Sequence, residues 1–139
     1  MWFYQGEEFT SDKIGDHVGF VYLILDKSNG KKYIGKKLFH SKKKLPPLKG
    51  KTRKRTVVKE SDWKDYFGSS EQVKALVEEH GRDNFYREIL HLCKTKGEMS
   101  YLELKEQMDR EVLLSDDYYN NIIQVRIHGS HVKNLKKDP

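Results

Sequence analysis

The tightest constraint this chain places on its own fold is a pair of extended runs, Gly19-Phe20-Val21-Tyr22-Leu23-Ile24-Leu25 and Lys31 to Phe39, joined through Asn29-Gly30. Asn-Gly between two β-prone runs is the strongest short-range hairpin signal, because both residues tolerate the positive φ that a tight turn demands. Strands over 19–26 and 31–39 follow. With a two-residue turn, or a four-residue turn of the same centre, Tyr22 stands opposite Lys37 and Leu23 opposite Lys36. Side chains alternate across a strand, so Val21, Leu23, Leu25, Ile34 and Leu38 share one face and form core. Tyr22, Ile24, Tyr33, Gly35 and Lys37 share the other. That second set combines two phenols, an ammonium and a glycine that permits close approach, and reads as a site. The competing reading is that both tyrosines are ordinary strand aromatics, and a three-residue loop would scatter the set.

The charge that follows the hairpin is unevenly spread. Of the 27 Lys and Arg, nine fall in residues 42–59, a stretch with no acid, and the chain carries a formal net charge of +6. Such a segment calls for a polyanionic partner. Its polarity and Pro46-Pro47 exclude an amphipathic membrane helix, so residues 41–60 are expected to form a basic loop that tracks phosphates, with Lys42, Lys43, Lys44, Lys49, Lys51, Arg53, Lys54 and Arg55 as its contacts. A solvated charge run or a localisation patch is the plainer alternative. No run approaches the roughly 18–20 apolar residues of a membrane span. Cys93 is the sole cysteine, so no internal disulfide forms; a reducing, cytoplasmic setting is expected.

The remaining segments read as an α+β domain. Residues 1–18 are an amino-terminal extension whose Trp2, Phe3 and Tyr4 pack back on the body. A short helix begins at Ser61 or Asp62 and stops at Gly68. Ser69 with Gln72 suggests a capping box for a helix that buries Val73, Leu76, Val77 and His80 and stops at Gly81. Phe85 to Leu92 reads as a third strand, with Cys93 as a small buried hydrophobe after it. The longest helix spans 97–114 with Tyr101, Leu104, Met108 and Val112 inward. Ser115-Asp116-Asp117 breaks it, Ile122 to Ile127 is extended, and 128–139 form a loose basic tail. The expectation is a small three-stranded antiparallel sheet flanked by helices, its single domain covering 19–127.

The order of these parts, Val21-Tyr22, hairpin, Tyr33-Ile34-Gly35 eleven residues after the first tyrosine, basic segment, capped helix, glutamate-bearing helix and Tyr119-Asn120, resembles the GIY-YIG nuclease domain of homing endonucleases, some restriction enzymes and the excinuclease that incises damaged DNA. The likeness covers about residues 19–125. The second motif matches outright, whereas Phe20 replaces the usual first glycine. The resemblance implies a metal-dependent DNA endonuclease with one divalent ion, Mg2+ or Mn2+. It carries the general-base role to Tyr22, which needs a nearby cation because a phenol of pKa about 10 is a weak base at neutral pH; Lys37 is the cation the expected register supplies. It makes Tyr33 the residue that positions water or phosphate, and gives the charge-stabilising arginine to Arg55, with Arg53 as competitor. The metal carboxylate is Glu103, with Glu106 a rival that periodicity does not separate. Asn120 or Asn121 supplies the amide beside the metal.

Duplex DNA is the expected partner, with a homodimer on DNA as one way to cut both strands. The six histidines show no metal-ligand spacing, and His40 reads as a surface residue. No glycine-rich phosphate cradle is present, which disfavours nucleotide hydrolysis. The rival function is a catalytically silent nucleic-acid-binding module that uses residues 42–59; an adaptor for an acidic protein is a third.

Overall fold

The computed structural model describes residues 1–135. The chain opens with β1 (Trp2–Tyr4) and β2 (Glu7–Phe9), joined by a turn in which Gln5 and Gly6 both take positive φ. It continues with β3 (Gly19–Asp26), β4 (Lys32–Leu38), β5 (His40–Leu45), β6 (Arg55–Glu60), α1 (Glu71–His80), β7 (Phe85–Cys93) and α2 (Lys96–Asp109). Five strands make one sheet in the order β2-β1-β7-β3-β4, while β5 and β6 pair only with each other.

The sheet is therefore five-stranded and mixed, not three-stranded and antiparallel. The first residues do pack on the body, but as strands: β1 runs parallel to β7, with Phe3 opposite Glu88. The antiparallel core β7-β3-β4 is as expected, with a bulge between Val21 and Tyr22 where β3 meets β7.

The β3-β4 hairpin forms, two residues out of the expected register. Tyr22 pairs with Gly35 and Leu23 with Ile34, and Phe20 stands opposite Lys37. The turn explains this. The Asp26 amide donates to the Lys31 carbonyl and the Gly30 amide to the Asp26 carbonyl, so the loop is Lys27 to Gly30, centred one residue before Asn29-Gly30. The Asp26 carboxylate holds that loop by accepting from the Ser28 amide and hydroxyl, Asn84 Nδ2 and the Tyr119 hydroxyl. A shift of two residues preserves parity, so the two side-chain sets stay on opposite faces.

Both faces are core. One cluster gathers Trp2, Phe9, Phe20, Tyr22, Ile24, Phe39, Trp63 and Ile89, covered in part by Leu76 and Val77 of α1. The other gathers Val21, Leu23, Ile34, Cys93, Met99 and Val112 under α2. Burial of Cys93 pushes its thiol up to about 12, as suits a small hydrophobe. Beside the first cluster Arg87 is buried without a carboxylate partner among the described residues. Its guanidinium donates to the Lys64 and Tyr66 carbonyls and lies 4.1 Å from the Phe67 ring centroid, and burial lowers its pKa to about 10.

Further differences have local causes. Ser70, not Ser69, caps α1 by accepting from the Val73 amide, and His80 is exposed. The segment expected as a short helix is one 3-10 turn, Trp63–Asp65. Helix α2 stops at Asp109, where Glu111 takes positive φ. Its inward residues include Glu98, Met99 and Gln107, while Met108 is 60% exposed, because buried polar residues interrupt the apolar stripe. No strand forms over 122–127. The tail is ordered through a 3-10 helix, Gly129–Leu135, whose His131 fills the space a Cβ on Gly97 would need. The last four residues of the expected loose tail lie outside the described residues. Of residues 41–60, expected as one loop, 41–45 and 55–60 are paired in the β5-β6 ribbon and only 46–54 connect its strands. No helix among the described residues is long and apolar enough to cross a membrane.

Candidate active site

Strand β4 is an edge of the sheet, and its open side is closed by side chains rather than by another strand. The Ile34 amide donates to Asn120 Oδ1 at 3.0 Å, and Asn120 Nδ2 donates back to the Ile34 carbonyl at 2.8 Å. Gln107 of α2 donates to the same carbonyl at 3.4 Å. Two residues earlier the backbone does the same work: the Lys32 amide donates to the Asp117 carbonyl and the Tyr119 amide to the Lys32 carbonyl, each at 2.8 Å. The residues after α2 thus act as a surrogate strand along the Tyr33-Ile34-Gly35 segment. Asn120 is engaged on both sides of its amide by backbone; Asn121 is exposed on the rim.

A cleft of about 450 Å³ opens between this edge, the amino end of α1 and α2, lined by Tyr33, Ser69, Ser70, Glu103, Gln107 and Asn120 among others. Tyr33 leans over Gly68, where φ is +91° and any Cβ would press on the ring at 3.3 Å. Its hydroxyl shares a hydrogen bond with Ser69 Oγ at 3.1 Å. Tyr22 lies behind it, ring centroids 6.3 Å apart and 1% exposed. The missing side chain at Gly35 makes that possible, since a Cβ there would fall on the Tyr22 hydroxyl. Burial, then the neighbouring Tyr66 and Tyr33 phenols, push the Tyr22 hydroxyl well above the ordinary phenol range; burial also raises Tyr33.

Glu103 enters the cleft from α2. Its side chain is 15% exposed, makes no hydrogen bond among the described residues, and has Lys36 Nζ at 4.0 Å as its one ion pair there. Burial raises its pKa against the pull of Lys36. Glu106 differs on every count. It is clamped by His91 at 2.8 Å and Arg110 at 2.9 Å, those bonds hold its pKa below the usual range despite some burial, and it does not line the cleft.

Two expected partners are elsewhere. Lys37 Nζ pairs with Asp62 at 2.7 Å and lies 4.2 Å above the Tyr66 ring, so the support meant for a Tyr22 phenolate is replaced by that pair. Arg55 sits opposite Leu45 at the outer end of the ribbon, and Arg53 lies in the connection beyond it. Among the described residues no arginine lines the cleft. The cation that does approach Glu103 is Lys36, which the hairpin's alternation sends to the α2 face and which also donates to Ser100 Oγ at 2.8 Å. The sequence did not mark Lys36, Ser69 or Gln107 as site residues; Ser69 was expected only as a helix cap. Only the position of Lys36 immediately after Tyr-Ile-Gly, one helix-facing step along the strand, could have drawn attention to it.

The Lys and Arg of 42–55 are exposed throughout the ribbon and its tip. Among the described residues no three His, Cys, Asp or Glu side chains group as metal ligands. The donor set in the cleft, one half-sunk carboxylate beside open space, still suits Mg2+, which keeps several waters and takes one or two carboxylates plus substrate phosphate.

Residues 2–123 match the family model described as "Putative endonuclease segE, GIY-YIG domain". A protein of Enterobacteria phage T4 with the same segE description is 33% identical over 101 residues, which cover 73% of this chain and 39% of that protein. The chain thus spans under half the length of that relative. No solved structure matches. The Tyr33-Ile34-Gly35 strand, the buried Tyr22 paired to its glycine and the glutamate facing them from α2 therefore belong, with the rest of the chain, to the segE-type GIY-YIG family.

Proposed function

We propose that this chain is an endonuclease that hydrolyses DNA phosphodiester bonds in the cleft beside Tyr33, with one divalent ion held at Glu103. The observation that carries this is the state of Glu103: a carboxylate raised by burial, without a hydrogen bond among the described residues and facing the YIG strand across an open cleft. Structural carboxylates are normally tied down, as Glu106 is; an untied one is costly to bury and suits an incoming cation. When bound, Mg2+ or Mn2+ polarises the phosphoryl oxygen and steadies the leaving oxygen.

The chain's own residues then divide the remaining tasks. Lys36 places positive charge beside Glu103 and offsets the charge that builds on the phosphate, the task expected of an arginine. The amino end of α1, whose first amides have no intrahelical partners, faces the same space and favours an anionic oxygen. The Tyr33 hydroxyl, already oriented by Ser69, orients the attacking water or the phosphate. Tyr22, its pKa raised by burial and by the neighbouring phenols, works as a neutral hydrogen-bond donor behind Tyr33 rather than as a standing phenolate. Asn120 is a positioning residue that fixes Ile34 and so the strand carrying Tyr33. Each site cuts one strand, so a nick is the product of a single copy and two copies are needed for a double-strand break.

The test is plasmid DNA with Mg2+ or Mn2+ at low salt. Nicking by the wild type and a loss of about 100-fold or more in Glu103→Gln are expected, the scale of removing a transition-state charge partner. A clean wild-type preparation that never nicks overturns the reading. It would favour the binding-module alternative, which the exposed basic ribbon supports independently.

A further inference from the structure

Among the described residues, the β5-β6 ribbon is the one pair of strands with no body beneath it. Every residue of β6 is exposed, and β5 is exposed apart from Ser41 and Leu45. An isolated two-stranded ribbon is marginal in water, yet this one has a firm footing. Phe39 is fully buried at its base, the Ser61 amide donates to the Phe39 carbonyl, and Glu60 accepts from Ser11 Oγ at 2.6 Å and from Trp63 Nε1 at 2.7 Å. Six paired positions at roughly 3.4 Å per step carry it about 17 Å from that footing.

Its two faces are not equivalent. Lys42 pairs with Val58 and Lys44 with Thr56 on one face; Lys43 with Val57 and Leu45 with Arg55 share the other. The first face runs into a cleft at the ribbon's foot that Lys42 and Val58 line together with Asp16, His17, Lys37 and Lys96, Asp16 being paired with Lys94 and Lys37 with Asp62. Val58 is 58% exposed there, against 39% for Val57 on the other face. A phosphate-binding strip has no use for bare β-branched methyls. Base edges do, because the thymine methyl takes apolar contacts in the major groove.

We propose that the ribbon enters the major groove of B-form duplex DNA with its Lys42, Lys44, Thr56 and Val58 face toward the base edges. The fit is geometric. A major groove about 12 Å wide and 8.5 Å deep admits a two-stranded ribbon, a minor groove about 6 Å wide does not, and the reach above exceeds the depth. A-form RNA duplexes have a major groove too narrow for protein elements. The ribbon therefore selects duplex DNA over duplex RNA and reads sequence there, while the exposed Lys96 at its foot takes an adjoining phosphate. This deepens the nuclease reading in saying what lies beside the cut, and rests on it for that alone.

The experiment is competition for a labelled DNA duplex in EDTA, where no hydrolysis occurs. A duplex RNA of the same sequence is expected to compete about tenfold or more weakly, the effect of losing one or two good base contacts. Methyl green, which occupies the major groove, displaces the protein, and netropsin in the minor groove does not. Val58→Glu, at an exposed position, lowers DNA affinity by about tenfold and narrows the DNA-over-RNA gap with an unchanged melting temperature. Equal competition by RNA, displacement by netropsin alone, or an unaltered Val58→Glu affinity overturns the proposal. A wild type that passes these tests but never nicks plasmid removes the nuclease reading and leaves the ribbon; one that nicks without them removes only the ribbon.

Discussion

The cleft strand and the ribbon are consecutive in the chain, separated only by Phe39, and they are built on opposite terms. Around Tyr33 to Gly35 each position is fixed by something else: a missing Cβ seats Tyr22, Asn120 seals Ile34, Gly68 seats Tyr33. Along 40–60 the side chains touch mainly solvent and each other. Chemistry needs atoms held within a fraction of an ångström, whereas a groove-tracking element needs reach, charge and side chains still free to choose partners. Substitutions in the first region should therefore cost stability or activity steeply. Those in the second should move binding and leave the fold alone.

The sharpest break of that contrast is at Glu103. Glu103→Gln is expected to lose about 100-fold or more in nicking while melting no lower than the wild type. The sign follows from its raised pKa: the group favours folding while protonated, and that contribution is lost as pH rises through the folded value, so at neutral pH the carboxylate is a cost. Mg2+ should raise the melting temperature of the wild type and not of the variant, a readout independent of cleavage.

Gly35→Ala tests the close approach of Tyr22. The added methyl has no room, so destabilisation of about 1–3 kcal/mol or more is expected by denaturant unfolding. Asn120→Ala leaves the Ile34 amide and carbonyl short of partners at a buried edge, at about 1–3 kcal/mol, and lowers activity in proportion to the displaced strand. An Asn120→Ala variant of full stability would show that the seal is dispensable.

Acid titration probes the hairpin turn. Asp26 is held at about 2 by the hydrogen bonds from Ser28, Tyr119 and Asn84, which outweigh burial. A depressed pKa stabilises the fold above the unfolded value near 3.8, and that support fades as pH falls toward 2. Asp26→Asn should flatten the stability curve in this window. On the ribbon, Lys43→Ala, on the face away from the bases, should change stability by less than about 0.5 kcal/mol and reduce the salt slope of DNA binding by about one for the phosphate no longer neutralised.

How far the chain could be read in advance follows the same division. The hairpin faces were legible because alternation survives a shift of two residues, even though Asn29-Gly30 closes a four-residue loop and is not the turn's centre. The ribbon was not, because a strand announces itself by one buried face and this one has none; Arg55-Thr56-Val57-Val58 was its only trace. The β1-β7 pairing joins segments some 85 residues apart and leaves no local signal. Glu103 and Glu106 are equivalent on a helical wheel. What separates them is His91 on β7 and Arg110 at the helix end, partners that exist only once the chain is folded.

The surrogate strand has a consequence for biosynthesis. Ile34 leaves the ribosome 86 residues ahead of the amide that covers it, so a chain interrupted before Tyr118 carries a complete tyrosine hairpin with a bare, pairing-competent border. Such a fragment is prone to stick to its own kind. The same arrangement delays assembly of the cleft until Asn120 has been made.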